Sequence, residues 1–575
     1  MADGGKPGSD VGGSIPKSWQ LALAIGAPLA LGVAVGAYYF HRRRTGKESG
    51  EAVAGKTNAD VTTAKTDVGG TTGQTADTVD ERSAEEKALA SKNKGNKYFK
   101  ASRYEQAIAC YNEAIALAPK DKTKDLSTYY QNRAAAHEQL KNYAQVVVDC
   151  TKALELNTRY VKALFRRAKA FESMNQKMAC LEDATAVCIL ESFMHNQSMI
   201  LADRMLKEIG KEKAHEQYEK RVPTLPSGQF IRSYFSSFSD DGISKAPSGY
   251  EEEGAGDSGE VGFKKAYSLF TRREYSGVIE ACDQEIESSG EQLAEALLMR
   301  ATFYLLKGQA NEARPDLDRL IAMEDSSCKL RANALIKRGS MHMQEGNSSD
   351  AMDDFATAVR VDPDNADIYH HRGQLNLLLD RIDDAAKDFE KCNKLNADFA
   401  LAHAQYSYAK YRLALVHQSP MQLQSAMQQL EESTKKFPTC AEAFALFAQA
   451  QSDQGQFPVA DEYFQRAIAL EPDNPTAYVH RGLLRLTWKK EADGAMEMIM
   501  KALEIDSKCD FAYETLGTIE VQRGNLTAAK DYFEKAIDLA RTEMEMSHLF
   551  SLSVAAEAQR NVTLKYNITP PTPNL

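Results

Sequence analysis

A spacing of 34 residues between small and aromatic anchor residues recurs through most of this chain and restricts its architecture. In the fullest form of the pattern, an aromatic residue follows a small residue after three positions. Alanine, a second aromatic residue and alanine then follow after twelve, sixteen and nineteen positions, and proline often after twenty-four. The first clear occurrence consists of Gly95, Tyr98, Ala107, Tyr111, Ala114 and Pro119. A period of this length predicts an array of short stacked units, because no single unit buries its apolar face alone.

Each unit is predicted to be a pair of antiparallel helices. Apolar residues spaced three and four apart give each helix one buried stripe, and proline ends the unit because it cannot continue a helix. The pattern is that of the tetratricopeptide repeat. We count about eleven units in two arrays, three near residues 88–194 and eight that start near residues 259, 294, 332, 366, 400, 441, 475 and 510. The predicted fold is therefore an all-α tetratricopeptide superhelix.

An uncharged run at residues 21–40 precedes the repeats. As a helix it would span about 30 Å, which is the hydrocarbon thickness of a bilayer. Arg42, Arg43 and Arg44 follow the run directly, at the point where a secretory signal would instead be cleaved. We therefore predict one retained transmembrane helix, with the C-terminal bulk of the chain in the cytosol, rather than a cleaved signal.

Composition divides the rest of the chain into further segments. Residues 1–20 form a short N-terminal segment, and residues 41–84, rich in Gly, Thr, Ala and Asp, form a flexible tether. The domains predicted after the tether are a three-repeat clamp domain at 85–194, a connecting helix and linker at 195–258, an eight-repeat array at 259–543, and a capping helix and tail at 544–575. The aromatic piece at residues 230–238 is too apolar for a free linker, so we expect it to pack on a folded part.

Several classes of function are excluded by composition and motifs. A net charge of −11 argues against a dedicated nucleic-acid binder. The nine cysteines form no CxxC pair and no Cys/His ligand spacing, so we predict no metal site and a reducing compartment. No phosphate loop, HExxH or GxSxG motif is present, and the repeats leave no stretch long enough for a catalytic domain. We therefore predict that the protein is not an enzyme and needs no cofactor.

Five polar residues on the first helices of the first three units form a pattern that packing does not explain. Pairs spaced four apart lie on one helix face, and the first helices of such repeats line a concave groove. The five residues are Lys92, Asn96, Asn132, Lys162 and Arg166. Two amines, a guanidinium and two amides suit carboxylates, which Arg binds through two parallel hydrogen bonds and Lys attracts as a point charge. One such residue alone could belong to a charged surface helix, but the set at matching positions predicts a carboxylate site.

The motifs that contain these residues resemble the dicarboxylate clamp of chaperone adaptors. They are KNKGN at 92–96, NRAAA at 132–136 and KALFR at 162–166. This resemblance implies that the clamp binds the C-terminal Glu-Glu-Val-Asp tails of the 70- and 90-kilodalton heat-shock proteins.

The chain as a whole resembles the large tetratricopeptide preprotein receptors of the mitochondrial outer-membrane translocase, in their animal form. Its anchor, tether, clamp and second array occur in the same order, and the segments VKALFRRAKA, CLEDATAVCIL and FIRSYFSSFSDD are especially similar. The resemblance implies a place in the mitochondrial outer membrane and other translocase subunits as partners. It also implies precursors delivered by chaperones, often carriers with internal targeting signals.

The second array is predicted to bind precursors through apolar side chains that face its groove. Met and aromatic side chains suit promiscuous binding of apolar helices, although periodic apolar residues can equally be packing residues. The nominated residues are Ile336, Met343, Leu377, Tyr408, Tyr411, Leu483, Leu486, Phe511 and Val521.

A second interpretation of the same features stays open at this point. A tetratricopeptide co-chaperone anchored at another membrane, such as the endoplasmic reticulum, would share both the anchor and the clamp. The location of the protein in the cell distinguishes this alternative from an import receptor.

Overall fold

A computed structural model describes residues 83–244 and 261–567 of the chain. The predicted transmembrane segment at 21–40 and the predicted tether up to residue 82 lie outside these ranges. Within them the chain forms 25 α-helices and one short 3-10 helix at Tyr275–Gly277, without strands. None of these helices is long and apolar enough to cross a bilayer. The prediction of an all-α tetratricopeptide fold is confirmed.

Eleven antiparallel helix pairs follow the repeat, and we call the members of each pair its first and second helix. The pairs are Ala84–Lys100 with Tyr104–Leu117, Thr123–Gln139 with Tyr143–Leu156, Val161–Ser173 with Lys177–Leu190, Gly262–Thr271 with Val278–Ser288, Leu293–Leu306 with Ala310–Ala322, Cys328–Gln344 with Ser348–Val361, Ala366–Leu378 with Ile382–Leu395, Ala400–Val416 with Pro420–Lys436, Ala441–Asp453 with Phe457–Leu470, Pro475–Lys489 with Ala492–Ile505, and Asp510–Arg523 with Leu526–Leu539. Three further helices are Asn196–Lys220, Gly228–Ser236 and Glu543–Tyr566.

In four of the helix pairs, a glycine on the first helix meets an aromatic ring on the second. A Cβ atom on Gly95 would lie 2.7 Å from Cε1 of Tyr111, which is closer than two carbon atoms can approach. Tyr111 is buried, as are Ala107 and Ala114 on the same second helix. The period therefore encodes a close helix crossing, with an aromatic ring against a glycine.

A second repeating contact joins the two helices of a pair, and we did not predict it from the sequence. An Arg on the first helix donates two hydrogen bonds of 2.5–2.9 Å to an Asp sixteen positions later on the second helix. The pairs are Arg133–Asp149, Arg167–Asp183, Arg300–Asp316, Arg338–Asp354 and Arg372–Asp388. Because a bidentate pair has a fixed geometry, it sets the register of the two helices in these five repeats.

The described residues fall into two compact units. One contains residues 83–209 and 557–567, and the other contains residues 210–244 and 261–556. In the first unit, the hydroxyl of Tyr566 accepts a hydrogen bond from Arg167 and donates one to Asp183, at 2.7 and 3.2 Å. In the second unit, Met546 and Leu549 pack with the last repeat. The domain limits given above stay predictions.

Candidate peptide-binding sites

The two amides of the proposed clamp are brought into contact. Asn96 lies on the first helix Ala84–Lys100 and Asn132 on the first helix Thr123–Gln139. The Nδ2 atom of Asn132 donates to Oδ1 of Asn96 at 3.3 Å. The hydroxyl of Tyr111 donates to the same oxygen at 2.8 Å, so the aromatic anchor of the repeat also orients Asn96.

The two lysines of the set carry charges that are not neutralised by a neighbour. Lys92 is half-buried and Lys162 is exposed. Neither lysine forms an ion pair with another part of the chain that the structure describes. Their ammonium groups are therefore available to an added anion.

Arg166 is held by an acidic residue that we did not predict from the sequence. Its Nε donates to Oε2 of Glu138 at 2.6 Å, and Lys169 donates to Oε1 of the same carboxylate at 2.8 Å. Burial by itself raises the pKa of Glu138, but the hydrogen bonds from Lys169 and Arg166 outweigh it and lower the pKa. The Nη1 atom of Arg166 is buried and has no hydrogen-bond partner among the described residues. Glu138 thus fixes the Nε edge of the Arg166 guanidinium, while the Nη1 group of the same guanidinium makes no hydrogen bond.

This arrangement suits an acidic peptide end. Two unpaired ammonium groups supply positive charge, Arg166 supplies an unused donor, and the oriented amides supply further polar contacts. Charge-assisted hydrogen bonds of this kind are roughly twice as strong as neutral ones. A metal would need other residues, and no group of three His, Cys, Asp or Glu side chains among the described residues could hold one.

The nine residues nominated for a precursor groove separate into two classes by burial. Six have almost no exposed surface, namely Ile336, Leu377, Tyr408, Tyr411, Leu483 and Phe511. The other three, Met343, Leu486 and Val521, are half-buried. A bound peptide could touch these three directly, whereas it would reach the other six only after the array repacks.

Tyr411 shows why a periodic aromatic residue is hard to place from sequence. Its ring is fully buried, and its hydroxyl donates to Asp453 at 3.3 Å and accepts from Gln454 at 3.2 Å. Burial raises the pKa of Asp453 to about 6. Tyr411 therefore ties one repeat to the next.

A segment between the two sets of repeats occupies a surface that we had not assigned to it. Residues 231–243, which we call the anchor, pack against the first helices of three successive repeats. Phe235 contacts Phe303 with a ring separation of 6.4 Å, and Phe238 lies 4.2 Å from the ring of His371. The expectation that this aromatic piece packs on a folded part is met.

The end of the anchor is fixed by buried polar contacts. The Nζ atom of Lys337 donates to Asp241 at 3.1 Å and to Asn333 at 2.6 Å, and Asn333 donates to Asp241 at 3.2 Å. The backbone N–H and the hydroxyl of Ser239 both donate to Asp367 at 2.7 Å. The charged and amide residues of this site, Asp241, Asn333, Lys337 and Asp367, are all buried. Separating this end of the anchor from the repeats would therefore cost much free energy, because it breaks a buried ion pair.

Residues 224–230, which we call the strap, precede the anchor and are held more weakly. The hydroxyl of Ser227 donates to Asp506 at 2.5 Å, and Lys508 donates to the carbonyl of Leu225 at 2.9 Å. The guanidinium of Arg541 lies 3.9 Å from the centre of the Phe230 ring. Every strap residue is half-buried or exposed.

Stacked helix pairs with these anchors define a tetratricopeptide-repeat protein. The tetratricopeptide repeat family matches residues 88–121, 336–391, 446–507 and 512–543. The chain is 53% identical to the mitochondrial import receptor subunit TOM70 of Homo sapiens, over 97% of this chain and 94% of that protein. It is 26% identical to the TOM70 subunit of Saccharomyces cerevisiae, over 83% of this chain and 82% of that protein. The chain belongs to the TOM70 family of mitochondrial import receptor subunits, which confirms the resemblance seen in the sequence.

The crystal structure of the yeast Tom70 is among the solved structures that are similar to this chain. It is 24% identical, with a TM-score of 0.47, and the match covers 84% of this chain and 98% of that one.

Proposed function

We propose that this import receptor is a single-pass protein of the mitochondrial outer membrane that docks the acidic tails of cytosolic chaperones and accepts apolar preproteins. The membrane anchor would be residues 21–40 and the tether residues 41–84. The clamp domain would be residues 85–194, and the array for preproteins would be residues 259–543. Transfer to the import pore would involve other subunits of the translocase.

The observation that carries the chaperone proposal is the state of Arg166. Its guanidinium is oriented by Glu138 on one edge, and a buried N–H group stays unpaired. A peptide carboxylate that reaches this group, once the side chains that cover it move, satisfies a donor that is otherwise costly to leave buried. Lys92 and Lys162 add charge for a second carboxylate, as a Glu-Glu-Val-Asp end requires.

Calorimetry with a synthetic peptide that ends in Glu-Glu-Val-Asp tests this proposal. Arg166→Ala in the full-length protein should weaken peptide binding at least tenfold, about 1.4 kcal/mol or more. Lys152→Ala is the matched control, because Lys152 is an exposed cation of the same array that pairs with Glu155 outside the clamp. Unchanged affinity of a folded Arg166→Ala protein would contradict the assignment.

The preprotein proposal rests on the half-buried side chains and on an open cleft in the second unit. The cleft is lined by Leu305 and Met544, which are half-buried, by Met341, which is almost fully buried, and by Glu219, Glu312 and Glu543. Methionine adapts its shape to different apolar partners, so these residues suit binding of varied sequences. An apolar helical segment of a carrier precursor, docked by its apolar face, fits this chemistry.

Site-specific photocrosslinking tests the preprotein proposal. A photoreactive residue at Met343 or Val521 should capture a carrier precursor during import. The same residue at Lys387, an exposed position on a second helix, should not. Equal capture at the three positions would contradict a binding surface at Met343 and Val521.

The cellular location is tested with the first 45 residues, which include the predicted membrane anchor. Residues 1–45 fused to a fluorescent protein should label mitochondria. Labelling of the endoplasmic reticulum would instead support the co-chaperone alternative at that membrane.

A further inference from the structure

Residues 557–567 complete the core of the first unit from a distant part of the chain. Val562 and Tyr566 are buried in the same apolar core as Leu164, which lies on the first helix of the third repeat. Tyr566 lies 399 positions from Arg167, the residue of that helix to which it bonds. The third repeat is therefore covered by a segment that lies far outside the predicted clamp domain in the sequence.

We propose that residues 557–567 are part of the chaperone-docking site, in which Tyr566 is a positioning residue that holds the clamp residues Lys162 and Arg166 in place. The inference rests on the proposed chaperone docking and adds to it a segment outside residues 85–194. Tyr566 does not touch the peptide and acts through the helix that carries the two clamp residues.

The contacts of this segment with the third repeat lie on both sides of its two clamp residues. Before them in the sequence, Arg159 donates to the carbonyl oxygen of Asn567 at 3.3 Å. Directly after them, Arg167 donates to the hydroxyl of Tyr566 at 2.7 Å. The stretch of helix between these two contacts is the stretch that carries both clamp cations.

The ion pair that Tyr566 joins is more deeply buried than its counterparts in other repeats. Of the five Arg–Asp pairs that join first and second helices, four have an arginine side chain that is 18–23% exposed. The side chain of Arg167 is only 6% exposed, and that of its partner Asp183 is 2% exposed. The hydroxyl of Tyr566 accepts from this arginine and donates to this carboxylate, at 2.7 and 3.2 Å. Residues 557–567 thus enclose this pair.

The hydroxyl of Tyr566 remains a hydrogen-bond donor at neutral pH. Burial and, after it, the carboxylate of Asp183 raise the pKa of Tyr566 above the ordinary value of a tyrosine. A buried ion pair is costly to expose or to leave incomplete. Arg167 is therefore held in one orientation, and the preceding residue, Arg166, is held with it.

The third repeat needs such a cover because it ends the first array. A repeat at the end of an array packs against a neighbouring repeat on one side only, so it opens more easily and depends on a capping element. Two of the three clamp cations lie on this repeat. Its position decides whether Lys162 and Arg166 can meet the same peptide as Lys92.

Calorimetry with the peptide that ends in Glu-Glu-Val-Asp tests the proposal on the full-length protein in detergent. Tyr566→Phe removes only the hydroxyl and keeps the ring in the core, so the protein should still fold. Peptide binding should weaken about threefold or more, because members of one hydrogen-bond network are coupled. Wild-type affinity in the folded Tyr566→Phe protein would overturn the proposal.

Tyr218→Phe is the matched control, because it removes a tyrosine hydroxyl from a similar network in the second unit. That hydroxyl donates to the carbonyl of Gly308 at 2.7 Å and accepts from Arg221 at 3.3 Å. Its loss should leave peptide affinity at the wild-type value. A loss as large as that of Tyr566→Phe would show that the effect is not specific to the clamp, and the proposal would fail.

A double variant separates positioning of the clamp from a general loosening of the unit. If Tyr566 acts by placing the clamp cations, Tyr566→Phe should weaken binding by a smaller factor in the Arg166→Ala background than in the wild type. Equal factors in the two backgrounds would show that the two residues act independently, which contradicts a positioning role.

Failure of this inference and failure of the proposed docking give different results. If the wild type binds the peptide and Arg166→Ala weakens binding while Tyr566→Phe does not, the docking function stands and the inference fails. If the wild type does not bind the peptide at all, the docking function itself fails.

Discussion

Replacement of Lys337 by methionine should strongly destabilise the second unit, because it leaves a buried carboxylate without its cation. Lys337 and Asp241 have no exposed side-chain surface. Burial alone lowers the pKa of Lys337, but Asp241 and Tyr234 outweigh it and raise the pKa, so the ammonium stays charged. Without it, Asp241 keeps only the N–H groups of Asn333 and Ile243.

The expected loss follows from the chemistry of that site. Removing one partner of a buried ion pair costs about 3–5 kcal/mol, whereas replacing both partners is often neutral. Lys337→Met should therefore lose about 3–5 kcal/mol of unfolding free energy. The double variant Lys337→Met with Asp241→Asn should recover to within about 1–2 kcal/mol of the wild type, because the amide carries no charge.

Guanidinium unfolding followed by tryptophan fluorescence measures these values. The chain has two tryptophans, so Trp19→Phe leaves Trp488 as a single reporter in the second unit. If the double variant lost as much free energy as the single variants Lys337→Met and Asp241→Asn together, the reasoning would be refuted, since the two charges would then not be coupled. A loss below about 1 kcal/mol in Lys337→Met would refute it as well, because the pair would then behave as an exposed one.

Two further predictions concern the repeats. Gly95→Ala places a Cβ atom 2.7 Å from the Tyr111 ring and should cost about 1–3 kcal/mol of unfolding free energy in denaturant titrations, while a wild-type midpoint would contradict the close crossing. Burial lowers the pKa of His480 to about 3, below its value of about 6.5 in the unfolded chain, so the unfolded state binds more protons between these values. Stability should thus fall as pH drops below about 6.5, by about 1.4 kcal/mol per pH unit from this group, and His480→Gln should reduce that slope; an unchanged slope would show that His480 is accessible to protons.

Much of the fold could be predicted because its information is local. Tyr111 follows Gly95 by sixteen residues, and this one spacing specifies two helices, a turn and their crossing. The clamp positions were predicted for the same reason, since Lys162 and Arg166 share a face of one helix. Glu138 was missed because no local rule relates it to Arg166, which lies 28 positions away on the next first helix.

The precursor groove was harder to predict because some first helices are buried on most of their faces. Helix Ala400–Val416 carries buried Ala, Ser and Tyr residues around its circumference, so its sequence has no single stripe that points to a groove. Tyr408 and Tyr411 could equally face a ligand or a neighbouring helix. The packed array shows both rings buried between helices.

The sequence by itself determined the repeat and the helix pairs, since each depends on side chains within one repeat of each other, and it predicted the polar clamp set from the matching positions of three repeats. Only the tertiary structure decided what covers the last repeats. Ser227 meets Asp506 across 279 positions, and Phe230 meets Arg541 across a still longer separation. Such contacts arise from the stacking of many repeats, whose small rotations add up along the array and bring distant segments together. A periodic pattern specifies how each repeat packs on the next. It does not show which distant segment of the chain packs against the completed array.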